Sequence, residues 1–352
     1  MAYSTIPKGS LYMNTKLYTG NGGNDNAQTG VGFQPDWTWI KARSQAYDHM
    51  LFDRVRQGAA AQPFEIRSNL TNAQSTDTSG LKSFDSDGFT LNNGGYVNGN
   101  GVTFASWNWL ANGAGSSNTD GSITSTVSAS TTSGFSIVKY TGNDTAGATV
   151  GHGLGAIPKM IIIKRYTDVR NWPVYHHSIG NTNNLYLNLT DASSSSTNWN
   201  STTPSDTLFT VSDASDVNGG GGSSNYIAYC FADVQGFSKF GSYIGNGNAD
   251  GTFIYTGFKP AFLLIKRIQH STSWQIQDNQ RLGYNVNESS LFPDTNGAEG
   301  GGKGIDILSN GFKLRSTSGA NNSSGDTFIY MAFAENPFVA TSGTTAVPVT
   351  AR

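Results

Sequence analysis

Short apolar runs recur along the chain in a fixed frame and read as buried strands. Trp37-Thr-Trp-Ile40, Met160-Ile-Ile-Ile163 and Phe262-Leu-Leu-Ile265 each follow a Gly-x-x-Pro corner and each run into a lysine, Lys41, Lys164 or Lys266. Gly32, Gly155 and Gly257 stand three residues before Pro35, Pro158 and Pro260, and each proline stands six residues before its lysine. A proline at a strand start costs no ladder hydrogen bond. The second and third runs are apolar at nearly every position, as strands covered on both faces are. The first alternates more, which predicts a thinner cover over Thr38.

The frame extends both ways. Upstream lie Tyr18-Thr-Gly-Asn21, Tyr140-Thr-Gly-Asn143 and Tyr243-Ile-Gly-Asn246, read as strand ends whose Gly or Asn supplies a positive φ. Eight to twelve residues past each lysine come His49-Met-Leu-Phe-Asp53, Trp172-Pro-Val-Tyr-His176 and Trp274-Gln-Ile-Gln-Asp278, spaced to fold back as hairpins. Downstream are strands around Phe89, Phe209 and Phe312, then the closing strands Phe104–Trp109, Tyr226–Phe231 and Phe328–Phe333. No stretch of twelve residues carries a capped 3.6-residue apolar period, so a helical turn near Asp53–Arg56 is the most helix expected.

Such a repeat predicts an all-β chain of three tandem antiparallel β-sandwich repeats of jelly-roll type. The units are 1–112, 133–236 and 237–340, with a linker over 113–132 and a C-terminal tail over 341–352. The lysine-to-lysine period shortens from 123 to 102 residues because of that linker, which is either flexible or laid along a neighbouring sheet.

Composition supports this and excludes several classes. Gly, Ser, Thr and Asn make up about 43% of the 352 residues, while charged residues are 13% and the net charge is -2. An α-rich surface would carry far more Glu, Lys and Arg, and 12% aromatic content argues against disorder. No basic field suits nucleic acid, no run is long enough for a membrane span, and the N-terminus reads as no secretory signal. The one cysteine, Cys230, forms no intrachain disulfide and reads as a buried small side chain.

Several strings in order, GFQPDWTWIK, HMLFDRVR, SFDSDGF, DGSITSTVSAS, GATVGHGLGAIPKMIIIK, FSKFGSYIGNGNADG, LSNGFKLRS and YMAFAENPF, resemble a repeat family encoded by tailed bacteriophages, especially those of marine bacteria. The resemblance covers nearly the whole chain apart from its last dozen or so residues. It implies concanavalin-A-like β-sandwich units in a virion structural protein, tail-fibre or tail-associated, and it carries no catalytic residues over. His176-His177 departs from the pattern, as does Arg56-Gln57, where members often have Arg-Gly.

Candidate chemistry is sparse. Asp85-Ser-Asp87-Gly88 could form a loose Ca²⁺ loop, but Asp87 aligns with Thr207 and Asn310, so an ordinary turn is expected and no metal is assigned. His176 and His177, adjacent on a strand, point to opposite faces, and one should occupy the position of Asp53 and Asp278. The three lysines read as solvated strand ends or cross-strand partners of Asp53, His176 and Asp278. Six tryptophans read as core, whereas Trp199, in the polar loop SSSSTNWN, looks exposed and is the candidate binding residue.

The paired carboxylates of a glycosidase, a nucleophile elbow, a phosphate loop and zinc spacing are all missing. The expected role is therefore non-enzymatic and without cofactors: a virion protein assembled in the bacterial cytoplasm, a fibre or spike component at the host surface. Capsid decoration or a head fibre is the alternative, and a carbohydrate-active enzyme the next. Expected partners are further copies of itself (a trimer, as phage fibres are usually built), other virion proteins and a host surface glycan, with no nucleic acid and no membrane span.

Overall fold

The computed structural model describes residues 4–57, 64–337, 339–342 and 345–348. The protein is all-β, with three large antiparallel sheets, each backed by a smaller one. The first large sheet runs Met13–Thr19, Thr103–Trp109, Trp37–Ala42, Met50–Asp53, Phe64–Arg67, Ser75–Thr76 in spatial order. The second repeats its central order as Phe135–Thr141, Asn225–Ala232, Pro158–Arg165, Pro173–His176, Asn183–Tyr186, Ser194–Ser195. The third has Ser238–Ile244, Thr327–Pro337, Phe258–Arg267, Gln275–Asp278. The aromatic closing strand therefore lies between the first strand and the lysine strand in every case.

The expected hairpins form in one register: Trp37 faces Asp53, Met160 faces His176 and Phe262 faces Asp278. The corner glycines Gly32, Gly155 and Gly257 have φ of 92°, 64° and 85°, a left-handed backbone that penalises any Cβ. The glycines of the Tyr-x-Gly-Asn elements serve differently from the expectation of positive φ. A Cβ on Gly20, Gly142 or Gly245 would lie 2.3 Å from the carbonyl oxygen of Gly99, Asn218 or Ser323, so close backbone approach is what selects glycine. Pro158 opens its strand, whereas Pro260 lies inside Phe258–Arg267 at a register shift that absorbs its missing N–H.

Of the two readings of residues 113–132, the one laid along a neighbouring sheet holds: Ser116–Asn118 and Ser125–Ser130 are strands added to the edge of the second large sheet. Thr38 has no thin cover, because it is buried and its hydroxyl hydrogen-bonds Asn108 Oδ1 at 3.0 Å. Within the expected tail, 341–342 and 345–348 belong to the hairpin of Val339–Ser342 with Thr345–Pro348, and 343–344 and 349–352 lie outside the described residues. Among the described residues, helix is confined to single turns at Gly9–Leu11, Arg54–Gln57 and Gly95–Asn98.

Inner faces of all three large sheets share one core. Trp37 of the first sheet stacks on Tyr229 of the second at 4.4 Å, Trp107 meets Phe262 of the third at 5.9 Å, and Phe231 of the second meets Phe333 of the third at 6.1 Å. Each large sheet thus touches both others across aromatic side chains, whose burial dominates the energetics of such a centre. Separate cores fill the first and second sandwiches, around Phe52 and Phe89 and around Ile161 and Phe209.

Candidate functional site

Backbone seams close the three sandwiches into a ring. Gln74 N–H donates to Tyr166 O, Ser193 N–H to Ile268 O, and Glu299 N–H to Arg43 O, each at 2.8 Å. The three acceptors stand two residues past Lys164, Lys266 and Lys41, so one joint is made three times, first to second, second to third and third to first.

Both lysine readings are overturned at these joints. All three lysines are fully buried, and none pairs with the aspartate or histidine across its hairpin. Lys164 Nζ donates to Thr71 O of the preceding sandwich at 2.7 Å and to Arg170 O at 2.6 Å. Lys266 Nζ donates to Thr190 O of its preceding sandwich at 3.0 Å and to Arg267 O at 2.9 Å, while Lys41 caps Ala42 O and Gln45 O. Backbone carbonyls at a strand end need donors once water is excluded, and an ammonium supplies several. Burial pushes Lys164 down to about 7 and Lys41 and Lys266 to about 8.

Asp53 and Asp278 have other partners. Each caps the turn that follows it and holds a buried arginine three residues on, Arg56 Nε at 2.5 Å and Arg281 Nε at 2.6 Å. Each also accepts a hydrogen bond from the closing strand of another sandwich, Asp53 from Tyr229 Oη and Asp278 from Trp107 Nε1. His176 occupies the equivalent position in the second sandwich, as the hairpin frame predicts, with Ile179 in place of the arginine. It faces the closing strand of the third sandwich, Nε2 lying 3.3 Å from Tyr330 O, and burial drives it down to about 3. His177 is exposed but does not point to the opposite face as expected: the strand ends at His176, the two rings lie 5.0 Å apart, and His177 Nε2 stands 3.1 Å from Phe240 O of the same third sandwich.

Other candidates resolve as structure. Trp199 is the principal correction: it is 1% exposed, packs edge-on against Tyr175 and donates Nε1–H to Asn183 O at 3.1 Å. The polar loop folds its indole inward, so loop composition misreported its exposure. Asp85 accepts from the Ser83 and Thr90 hydroxyls and Asp87 from the Gly30 and Gly32 amides. Those amides hold the Asp87 carboxyl below its usual range, as a turn requires. No cluster of three metal-ligating side chains occurs among the described residues. Cys230 is buried, with its thiol pushed up by burial.

Sequence reading missed three buried asparagines, Asn98, Asn218 and Asn322, whose Oδ1 atoms accept the N–H of Asn21, Asn143 and Asn246. Their signal was an asparagine 75 to 77 residues after the one in each Tyr-x-Gly-Asn element, hidden by the abundance of Asn.

Two adjoining surface hollows of about 510 and 500 Å³ share Asn279, Gln280 and Glu335. One continues over Lys259, Tyr284 and Asn285, the other over Asn14 and Lys16, along the seam of the first and third sandwiches. Tyr284 is 72% exposed beside these amides. Amide donors and acceptors around an exposed ring are suited to a polar ligand with apolar faces. No helix among the described residues is long and apolar enough to cross a membrane.

Fold and surface together define an all-β sandwich protein with its polar chemistry spent on seams. A family model described as a domain of unknown function (DUF7483) matches residues 8–337, and the chain belongs to that family. No curated protein and no solved structure matches it.

Proposed function

We propose that the chain is a non-enzymatic structural protein of a bacteriophage virion, a tail-associated fibre or spike component that self-associates and touches a host surface glycan. The observation that carries this reading is the amide-lined hollow with exposed Tyr284. The phage-like strings supply the virion half of the proposal. Weak contacts of that kind become useful when several copies act together.

Antibody labelling of intact particles tests the location: label on the tail is expected, label on the head assigns decoration or a head fibre, and unlabelled particles end the virion reading. Glycan-array binding that weakens in Tyr284→Ala, without release of cleaved product, tests the contact. Product release would restore the enzyme alternative.

A further inference from the structure

The second and third sandwiches differ along one open side. In the second, Ser125–Ser130 pairs with the large-sheet strand Phe135–Thr141, and the residues just before it cross to the small sheet. There Ile123 bridges Val150 in parallel, Ile123 N–H donates to Thr149 O at 3.0 Å, and Thr149 N–H donates to Ser122 Oγ at 2.9 Å. Gly121 sits so near that a Cβ would lie 2.4 Å from Thr149 O. The edge of Ala148–Gly151 is thus filled by the chain's own extended segment.

Among the described residues the third sandwich has no such segment: Tyr243 follows Phe231 by 12 residues, whereas Tyr140 follows Trp109 by 31. Register places Phe253 where Thr149 stands, because Ile254 faces Phe312 as Val150 faces Phe209. Leu314 N–H donates to Thr252 O and Thr256 N–H to Asn310 O, so by antiparallel alternation the peptide groups of residues 253 and 255 point to the open side. Lys239 Nζ takes the Tyr255 carbonyl at 3.0 Å. Three large apolar side chains border this edge, Ile244, Phe253 and Tyr255, which are 61%, 43% and 51% exposed. The equivalent edge of the first sandwich carries only Ala27 and Thr29. Exposed apolar edge strands are ready templates for pairing unless they are blunted.

We propose that this edge pairs with the same edge of a second copy of the chain, the two Phe253–Tyr255 strands lying antiparallel about a two-fold axis. A strand that meets its own two-fold mate is antiparallel by symmetry, and the contact is self-complementary. Charge favours this occupant over a strongly acidic or basic partner. The flanking Asp250 is paired with Lys313 at 2.6 Å and with Arg315 at 3.2 Å, and Arg315 is paired with Asp306 at 3.0 Å. These four charges are matched and Lys239 adds one positive charge at the Tyr255 carbonyl, leaving no strong field of one sign, and a second copy presents the same apolar strip with the same mixed rim. The inference rests on the self-association proposed above and not on the virion location or the glycan contact.

Sedimentation velocity on the full chain, from low to high micromolar, tests it. A concentration-dependent dimer is expected, weakened about tenfold or more by Phe253→Lys with Tyr255→Lys. Hydrogen exchange at the Phe253 amide should slow as the dimer forms, and this readout uses the unsubstituted chain should the double variant fail to fold. A monomer at every concentration overturns the proposal, as does a dimer that leaves the Phe253 amide exchanging freely. A monomer in which that amide is protected only by an added neutral glycan or an added peptide overturns it in favour of those occupants.

Discussion

Tyr229 donates its hydroxyl proton to Asp53 at 2.9 Å across 176 residues of chain, from the closing strand of the second sandwich to the hairpin of the first. Trp107 Nε1–H likewise donates to Asp278, from first to third, whereas between third and second the direction reverses and His176 Nε2 faces the Tyr330 backbone carbonyl, which accepts. Three contacts between corresponding elements therefore run once around the central core. The ring is held by aromatic packing, and polar groups fix how the sheets meet.

Removing Asp53 leaves the Arg56 guanidinium buried without its counter-charge. Asp53→Ala should cost about 3–5 kcal/mol, whereas Tyr229→Phe, which keeps the ion pair, should cost about 1–2 kcal/mol. Urea unfolding monitored by tryptophan fluorescence measures both, and equal costs would contradict the hierarchy.

The second sandwich carries a compensated exchange. His176→Asp alone should destabilise strongly, because Ile179 offers no positive charge and Met331 no donor where the first and third hairpins meet Arg and an aromatic donor. Adding Ile179→Arg and Met331→Tyr should recover most of the loss. A triple variant no more stable than the single one would show that these positions do not act as a set.

Buried lysines predict an unusual pH profile. With folded values near 7 for Lys164 and near 8 for Lys41 and Lys266, the folded state releases protons that the unfolded chain keeps until about pH 10.4. Stability should climb from about pH 7 towards pH 10, since it rises wherever the unfolded state holds more protons. Above that range it should fall, because buried Tyr140 and Tyr243 are raised and keep their protons while the unfolded chain loses them. Calorimetric Tm against pH checks both limbs. In Lys164→Met the climb should shrink, and the orphaned Thr71 and Arg170 carbonyls should cost about 2–4 kcal/mol.

Trp199 and Tyr284 should separate stability from contact. Trp199→Ala empties a core position and should cost about 3–5 kcal/mol. Tyr284→Ala, on the surface, should change stability by no more than about 0.5 kcal/mol while lowering glycan retention. Thermal melts and array binding on the same two variants read out the contrast.

Much of the fold was legible because it is local. Gly-x-x-Pro corners, the fold-back of His49–Asp53 along Trp37–Ile40 and the aromatic closing strands all lie within one copy of the repeat, where spacing reports geometry directly. The register was not legible: pairing across the hairpin would set Asp53 opposite Lys41, and it faces Trp37 instead. Trp199 was misplaced because a loop's polarity describes its surface average and not where its one large ring goes. The lysines were misread for a related reason: a charge at a strand end is solvated only if nothing covers it, and the cover over Lys164 comes from Thr71, 93 residues upstream.

By itself the sequence determined an all-β chain, a recurring strand frame, a charge-poor surface and the positions where only glycine or proline fits the backbone. Tertiary structure decided that the three large sheets share one core and close on one another. It also decided that repeated lysines cap carbonyls at the seams, and that the candidate contact residues are Tyr284 and the Phe253–Tyr255 edge. Spacing within a repeat encodes neighbours in one sheet, whereas partners across a seam are set by how whole sheets pack, which no local period records.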